Sequence, residues 1–164
     1  MLFRSVPWVF DPAHQLPHMS SDDLVDGARG AWVLIGNDYE LELIQQRTGR
    51  DLDGLKQLSE LVVTTLGRQG SHIDSGSQSH TIAAAPARVE ADPTGAGDAY
   101  RSGLVAGLLR GLDVPTAGAV ASLAATYAIE QVGTIEHAYT PAEFSERFRE
   151  AFGIPLPAKF WPAG

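Results

Sequence analysis

The stretch that most constrains how this chain can fold is Asp92-Pro93-Thr94-Gly95-Ala96-Gly97-Asp98-Ala99-Tyr100-Arg101-Ser102-Gly103. It stands between a strand-rich region and a long Ala/Leu/Gly pattern of helical character. Glycines at 95 and 97 let the backbone turn tightly and admit a ligand close to the main chain. A helix starting here points its free N–H groups and the positive end of its dipole into that turn, which makes an anion site. Asp98 then falls in the first helical turn, where a carboxylate complements the dipole and can accept a proton. An anion cradle beside a base is the equipment of phosphoryl transfer. The same letters also describe a glycine turn that only caps a helix.

Upstream, short apolar runs end at polar or glycine stops and read as buried strands. Pro7-Trp8-Val9-Phe10 stops at Asp11-Pro12, and Trp32-Val33-Leu34-Ile35 stops at Gly36-Asn37-Asp38. Leu61-Val62-Val63-Thr64-Thr65-Leu66 runs into Gly67-Arg68-Gln69-Gly70. Helical segments separate them: one over 24–28 behind the Ser20-Ser21-Asp22-Asp23 cap, one over 39–44 capped by Asn37, and one over 52–58. Strands alternating with helices predict an α/β fold. Asp11 would sit at the carboxyl end of a parallel strand, where ligand sites gather, although an Asp-Pro turn also has a purely structural use. Ser71–Asp74 and His80–Ala83 read as a hairpin with its tip at 75–79. Downstream, a helix over 97–111 presents Leu104, Val105, Leu108 and Leu109 on one face, with Gly103 and Gly107 spaced to pack closely on the sheet. An Ala-rich helix follows over 114–132, and Thr140-Pro141-Ala142-Glu143 starts a last helix running through Arg149. Residues 1–152 form the domain and residues 153–164 a tail.

Composition narrows the function. A net charge of -8 argues against a nucleic-acid or anionic-membrane surface, and the absence of cysteine excludes disulfides and thiolate metal sites. His72 and His80 flank the hairpin tip, but nothing else is spaced to complete a metal site with them. No apolar run approaches the ~20 residues of a membrane span, and Met1-Leu2-Phe3-Arg4 is no signal peptide. The default location is cytoplasmic.

The Asp92-x-Thr94-Gly95-Ala96-Gly97-Asp98 string resembles the second signature of the PfkB/ribokinase family of carbohydrate and nucleoside kinases. Ala99–Gly103 and Gly133–His137 lean toward the family's adenosine-kinase-like bacterial branch. The resemblance implies a three-layer α/β/α, ribokinase-like (Rossmann-like) fold, with Asp98 as general base and the backbone of Gly95, Ala96 and Gly97 as the anion hole. Asn37-Asp38-Tyr39-Glu40 resembles the family's N-x-x-E motif, whose Asn37 and Glu40 equivalents organise Mg²⁺ and the nucleotide phosphates; a capping box has nearly the same letters. Thr65-Leu66-Gly67-Arg68-Gln69-Gly70 resembles the T-L-G-x-x-G loop that meets the ATP phosphates and ribose at Thr65, Gly67 and Gly70. A glycine-containing hairpin is compatible with it. Asp92 and Thr94 match positions where related kinases bind a monovalent cation such as K⁺, or Asp92 anchors the loop by accepting backbone N–H bonds. By the same analogy Ser122 and Gly133 line the base pocket, while tight helix packing is the other reason for small residues there. Asp11 and Arg101 are candidate substrate contacts, and Arg101 could instead pair with Asp98 or Glu90.

The similarity covers almost the whole chain but only the C-terminal half of a family kinase, without the lid. In the family the first half supplies most acceptor contacts. The expectation is an ATP- and Mg²⁺-dependent phosphotransferase acting on a hydroxymethyl group of a sugar or nucleoside, with adenosine, ribose and fructose all open as acceptors. The alternative is a truncated, non-catalytic nucleotide-binding or assembly module. A sheet cut in its middle invites a homodimer or pairing with the missing half. A dinucleotide oxidoreductase is disfavoured, because its glycine loop follows the first strand, with an acid about 20 residues on.

Overall fold

The computed structural model describes residues 6–134 and 136–161. It divides into two compact units: Met1–Gly67 with Ser71–Thr81, and Arg68–Gly70 with Ile82–Gly164.

The first unit is built on a five-stranded sheet in the order β1-β2-β3-β4-β5. Strands β1 (Val9–Phe10), β2 (Val33–Asn37) and β3 (Leu61–Thr65) are parallel, as the apolar runs require. Parallel neighbours need crossovers. Helix α1 (Ser21–Ala28) supplies the first, and α2 (Asp38–Thr48) with α3 (Leu52–Lys56) supplies the second. Strand β4 (Ser71–Ser75) turns back antiparallel to β3, and β5 (Gln78–Ile82) follows it. Left-handed Gly76 (φ +53°) reverses the chain between them, so the hairpin tip is tighter than the expected 75–79. Leu34 and Val62 of the sheet bury against Leu24, Ala28, Leu41, Ile44 and Leu55, making one continuous apolar core. The register Val33↔Leu61 through Asn37↔Thr65 ends β2 and β3 level, which brings Asn37 and Thr65 side by side.

The second unit centres on α4 (Ala96–Leu109) and α5 (Val114–Ile129). A Cβ added at Gly103 would stand 2.8 Å from the Ala121 Cα, and one at Gly107 would stand 2.9 Å from the Ala117 Cα. These glycines therefore seat α4 on α5; the expectation that they pack on the sheet is corrected, because their spacing matches the small residues of the neighbouring helix. Residues 83–92 run along α5. Ala85 N–H donates to Ser122 Oγ (2.8 Å), Thr126 Oγ1 donates to the Ala85 carbonyl (3.1 Å), and Ala91 N–H donates to the Ile129 carbonyl (2.8 Å). Helix α6 (Pro141–Phe152) adds Phe144, which packs among Tyr127, Tyr139, Phe160 and Trp161. The tail joins this unit: Phe160 is buried, and its carbonyl accepts from Arg110 Nη1 at 2.9 Å. Among the described residues, no helix is long and apolar enough to cross a membrane.

Candidate functional site

Five of the six α-helices among the described residues close their N-termini with a side chain: Ser20, Asn37, Asp51, Asp113 and Thr140. Helix α4 does not. Its N-cap is Gly95, in the left-handed region (φ 83°, ψ -5°) and without a side-chain cap bond. Ala96 N–H turns back to the Pro93 carbonyl (3.2 Å), and Ala99 N–H starts the regular ladder at the Gly95 carbonyl (2.9 Å). The N–H groups of Gly97 and Asp98 have no carbonyl one turn back to bond. The side of Gly97 where a Cβ would stand is open, since that Cβ would meet only Arg101 Nη2, at 3.8 Å. No side chain or backbone packed against Gly97 requires glycine at this position.

Asp98 stands at the rim with its side chain 79% exposed, ion-paired to Arg101, whose side chain is 28% exposed. Of the two partners the sequence offered Arg101, the structure selects Asp98; Glu90 pairs with Arg68. Burial pushes the Arg101 guanidinium below its ordinary value, and arginine remains charged there at neutral pH. Asp92 accepts from Thr94 N–H (2.9 Å) through one oxygen and from Gly133 N–H (3.2 Å) through the other. The Thr94 hydroxyl and N–H, then the Gly133 N–H, hold its carboxyl below the ordinary carboxylate range. Asp92 thus ties the glycine turn to the loop after α5. Ser122 is buried, with its hydroxyl accepting from Ala85 N–H and donating to the Ala83 carbonyl (3.1 Å). Gly70 (φ +91°) lies against the backbone of 82–84, where a Cβ would come within 1.9 Å of the Ile82 carbonyl oxygen.

In the first unit, Asn37 and Glu40 form a reciprocal capping box at the start of α2, each backbone N–H donating to the other's side chain at 2.8 Å. The box uses Asn37 Oδ1 and Glu40 Oε2, so the amide nitrogen and the second carboxylate oxygen lie outside it. Thr65 Oγ1 reaches the Gly36 carbonyl at 3.5 Å, and Gly67 (φ +56°) opens the turn that follows β3. Asp11 is half-buried, directly after β1. Among the described residues, no group of three His, Cys, Asp or Glu is placed to hold a metal. Mg²⁺ does not need one, because it keeps several waters and is commonly bound through one or two carboxylates and substrate phosphates.

Residues 4–141 match the PfkB family of carbohydrate kinases. The chain belongs to this family. A nucleoside kinase of Methanothermobacter thermautotrophicus is 37% identical over 150 residues, covering 90% of this chain and 48% of the relative. The solved nucleoside kinase of Burkholderia thailandensis in complex with ADP-inosine superimposes with a TM-score of 0.90 at 36% identity, over 93% of this chain and 48% of that one. A nucleoside kinase of Methanocaldococcus jannaschii, an archaeal member of the ribokinase family, gives a TM-score of 0.84 at 27% identity, over 87% and 48%. The ribokinase-like α/β fold is therefore established, and the chain spans about half the length of the curated relatives it matches.

Two features of this family member escaped the sequence reading. A Cβ at Gly36 would stand 2.5 Å from Leu41 Cδ2 and 3.2 Å from Glu40 Oε2, so this glycine is what lets Glu40 fold back onto Asn37. Its signal lies in the sequence, a glycine that closes an apolar strand just before a capping box. The ion pair of Arg68 with Glu90 joins residues 22 apart, and no local pattern marks such a pair.

Proposed function

We propose that this chain carries the ATP-handling part of a PfkB-family nucleoside kinase. The observation that carries the reading is the start of α4: an uncapped helix end, open space over Gly97 and an exposed carboxylate at Asp98. In the proposed reaction Asp98 accepts the proton of the acceptor hydroxyl, whose oxygen bonds the γ-phosphorus while the bond to the β-phosphate bridging oxygen breaks and ADP leaves. N–H groups of Gly95, Gly97 and Asp98 stabilise the charge on the phosphoryl oxygens, with the Ala96 N–H held on the Pro93 carbonyl, an electrostatic contribution of the kind that dominates such reactions. Asn37 and Glu40 would hold Mg²⁺ through water, and the ion would neutralise charge on the phosphates. Thr65, Gly67 and Gly70 are assigned to the nucleotide, with Ser122 and Gly133 near its base. Asp92 and Thr94 are assigned to a monovalent cation, although both Asp92 oxygens already accept backbone N–H bonds. A nucleoside is preferred to a free sugar as acceptor because the relatives above are named nucleoside kinases and one is solved with ADP-inosine.

A second reading is a nucleotide-binding or assembly module without turnover of its own. Among the described residues β1 stands at the edge of the sheet, a position that can take a further strand, and this fits that reading. A phosphotransfer assay with inosine, adenosine, ribose and fructose separates the two. Turnover that falls about 10²–10⁴-fold in Asp98→Asn supports the kinase with this base. ATP binding without turnover supports the module, and near-normal turnover in Asp98→Asn removes the base assignment.

A further inference from the structure

The geometry assigns Arg101 a role beyond partnering Asp98. We propose that it is a phosphate-binding residue, a cation that exchanges the Asp98 carboxylate for an oxygen of the γ-phosphoryl group when ATP arrives. The inference rests on the kinase reading above and concerns the same helix end.

Three observations converge on it. The first is position: Arg101 Nη2 contacts Asp98 Oδ1 and also lies 3.8 Å from the place a Gly97 Cβ would occupy. The guanidinium thus stands on the open side of Gly97, which lies in the first turn of the helix, where the N–H groups of Gly97 and Asp98 have no carbonyl partner. The second is an asymmetry of burial. The Arg101 side chain is 28% exposed and the Asp98 side chain 79% exposed. The cation is held by its surroundings, while the carboxylate is free to swing on its own rotamers. The third is chemical. An ion pair with one partner so exposed is weak, whereas a phosphoryl group offers more charge on several oxygens to a planar guanidinium fork. Exchange therefore runs toward the phosphate.

The exchange has a consequence for the order of events. Before ATP binds, the carboxylate that must receive the acceptor's proton is engaged by a cation. Arrival of the γ-phosphate removes that cation, so the base becomes available only when there is a phosphoryl group to transfer.

Calorimetry on the full chain with Mg²⁺, using ADP and the non-hydrolysable analogue AMP-PNP, tests this without requiring turnover. Arg101→Gln should weaken AMP-PNP binding about tenfold and leave ADP within about twofold, the loss expected for one charge-assisted bond made only to the γ-phosphate. Unchanged ADP affinity also certifies that the variant folds. Should Arg101→Gln not fold, Arg101→Lys keeps the charge without the fork and should lose a smaller factor for AMP-PNP alone. Asp98→Asn, which removes the competing carboxylate, should tighten AMP-PNP. Equal weakening of both nucleotides, or of neither, overturns the proposal. A wild-type chain that binds neither nucleotide overturns the kinase reading and this proposal together, whereas normal wild-type binding with an indifferent Arg101→Gln overturns this proposal alone.

Discussion

A Cβ at Gly70 would stand 1.9 Å from the Ile82 carbonyl oxygen and 2.8 Å from the Ala84 nitrogen, at a φ of +91°. One at Gly95 would stand 3.2 Å from the Thr134 Cα, at a φ of +83°. One at Gly97 meets no backbone at all, and φ there is not positive. Substitution by alanine should therefore separate fold from function. Gly70→Ala forces backbone apart, and Gly95→Ala carries about 1–2 kcal/mol of left-handed strain, so both should unfold at lower temperature. Gly97→Ala should unfold at the same temperature or higher, since alanine in a compatible conformation gains up to about 1 kcal/mol. Yet its methyl group fills the opening in front of the N–H groups, and AMP-PNP affinity should drop about tenfold, the loss of a charge-assisted bond. A Gly97→Ala chain that binds AMP-PNP like wild type would show that the phosphoryl group does not lie there.

The elements of the second unit are tied together at Glu130, just past the end of α5. Its carboxylate takes Arg147 Nη1 of α6 at 2.6 Å and the Arg88 N–H at 2.6 Å, while Arg147 also donates to the Pro86 carbonyl (3.2 Å) and lies over the Tyr127 ring at 4.5 Å. Both side chains are nearly sealed, at 7% and 9% exposed. Burial pushes the Glu130 carboxyl up, but bonds from Arg147 and the Arg88 N–H outweigh it and hold the group below its ordinary value of about 4.5. A carboxyl lowered in the folded state stabilises fully above its unfolded value, and that stabilisation is lost as pH falls through the folded value. Glu130→Gln, which strands the Arg147 charge, should cost about 3 kcal/mol at pH 7. The gap between wild type and variant in urea midpoint should then close as pH falls from the ordinary value of about 4.5 down through the lowered folded one. A gap that persists unchanged in acid would mean that the pair acts through shape rather than charge. Sequence patterns had placed α4 over 97–111 and α5 over 114–132, against Ala96–Leu109 and Val114–Ile129 observed. Gly111 at φ +67° follows Arg110 as the true stop of α4. The Glu130–Arg147 tie was not legible, because it joins elements 17 residues apart through side chains that look like ordinary surface charges in the sequence.

At the scale of the whole chain, what could be read beforehand followed from local rules. Apolar runs stopped by glycine turns mark β2 and β3, and the glycine pair marks the start of α4; the level strand ends that bring Asn37 beside Thr65 are set by the sheet register. What could not be read depends on tertiary neighbours, such as Gly103 meeting Ala121 or Ser122 spending its hydroxyl on Ala83 and Ala85. Charge is a property of the whole molecule, and it gives a last expectation. The chain carries 20 acidic and 12 basic residues, a net charge of -8. Arg68 is matched by Glu90 and Arg101 by Asp98, so these ion pairs create little positive field at long range. An approaching nucleotide anion therefore meets net repulsion and is held by short-range contacts only once it has arrived. Salt screens the repulsion over a Debye length of about 10 Å at 0.1 M, while bonds made in the water-poor contact are screened much less. The association rate of a fluorescent ADP, followed by stopped flow in the absence of Mg²⁺, should rise about two- to threefold between low and roughly 0.2 M NaCl, with its dissociation rate nearly constant. A falling association rate would reveal a positive funnel, and the arginines would then have to leave their carboxylates before the nucleotide arrives rather than because of it.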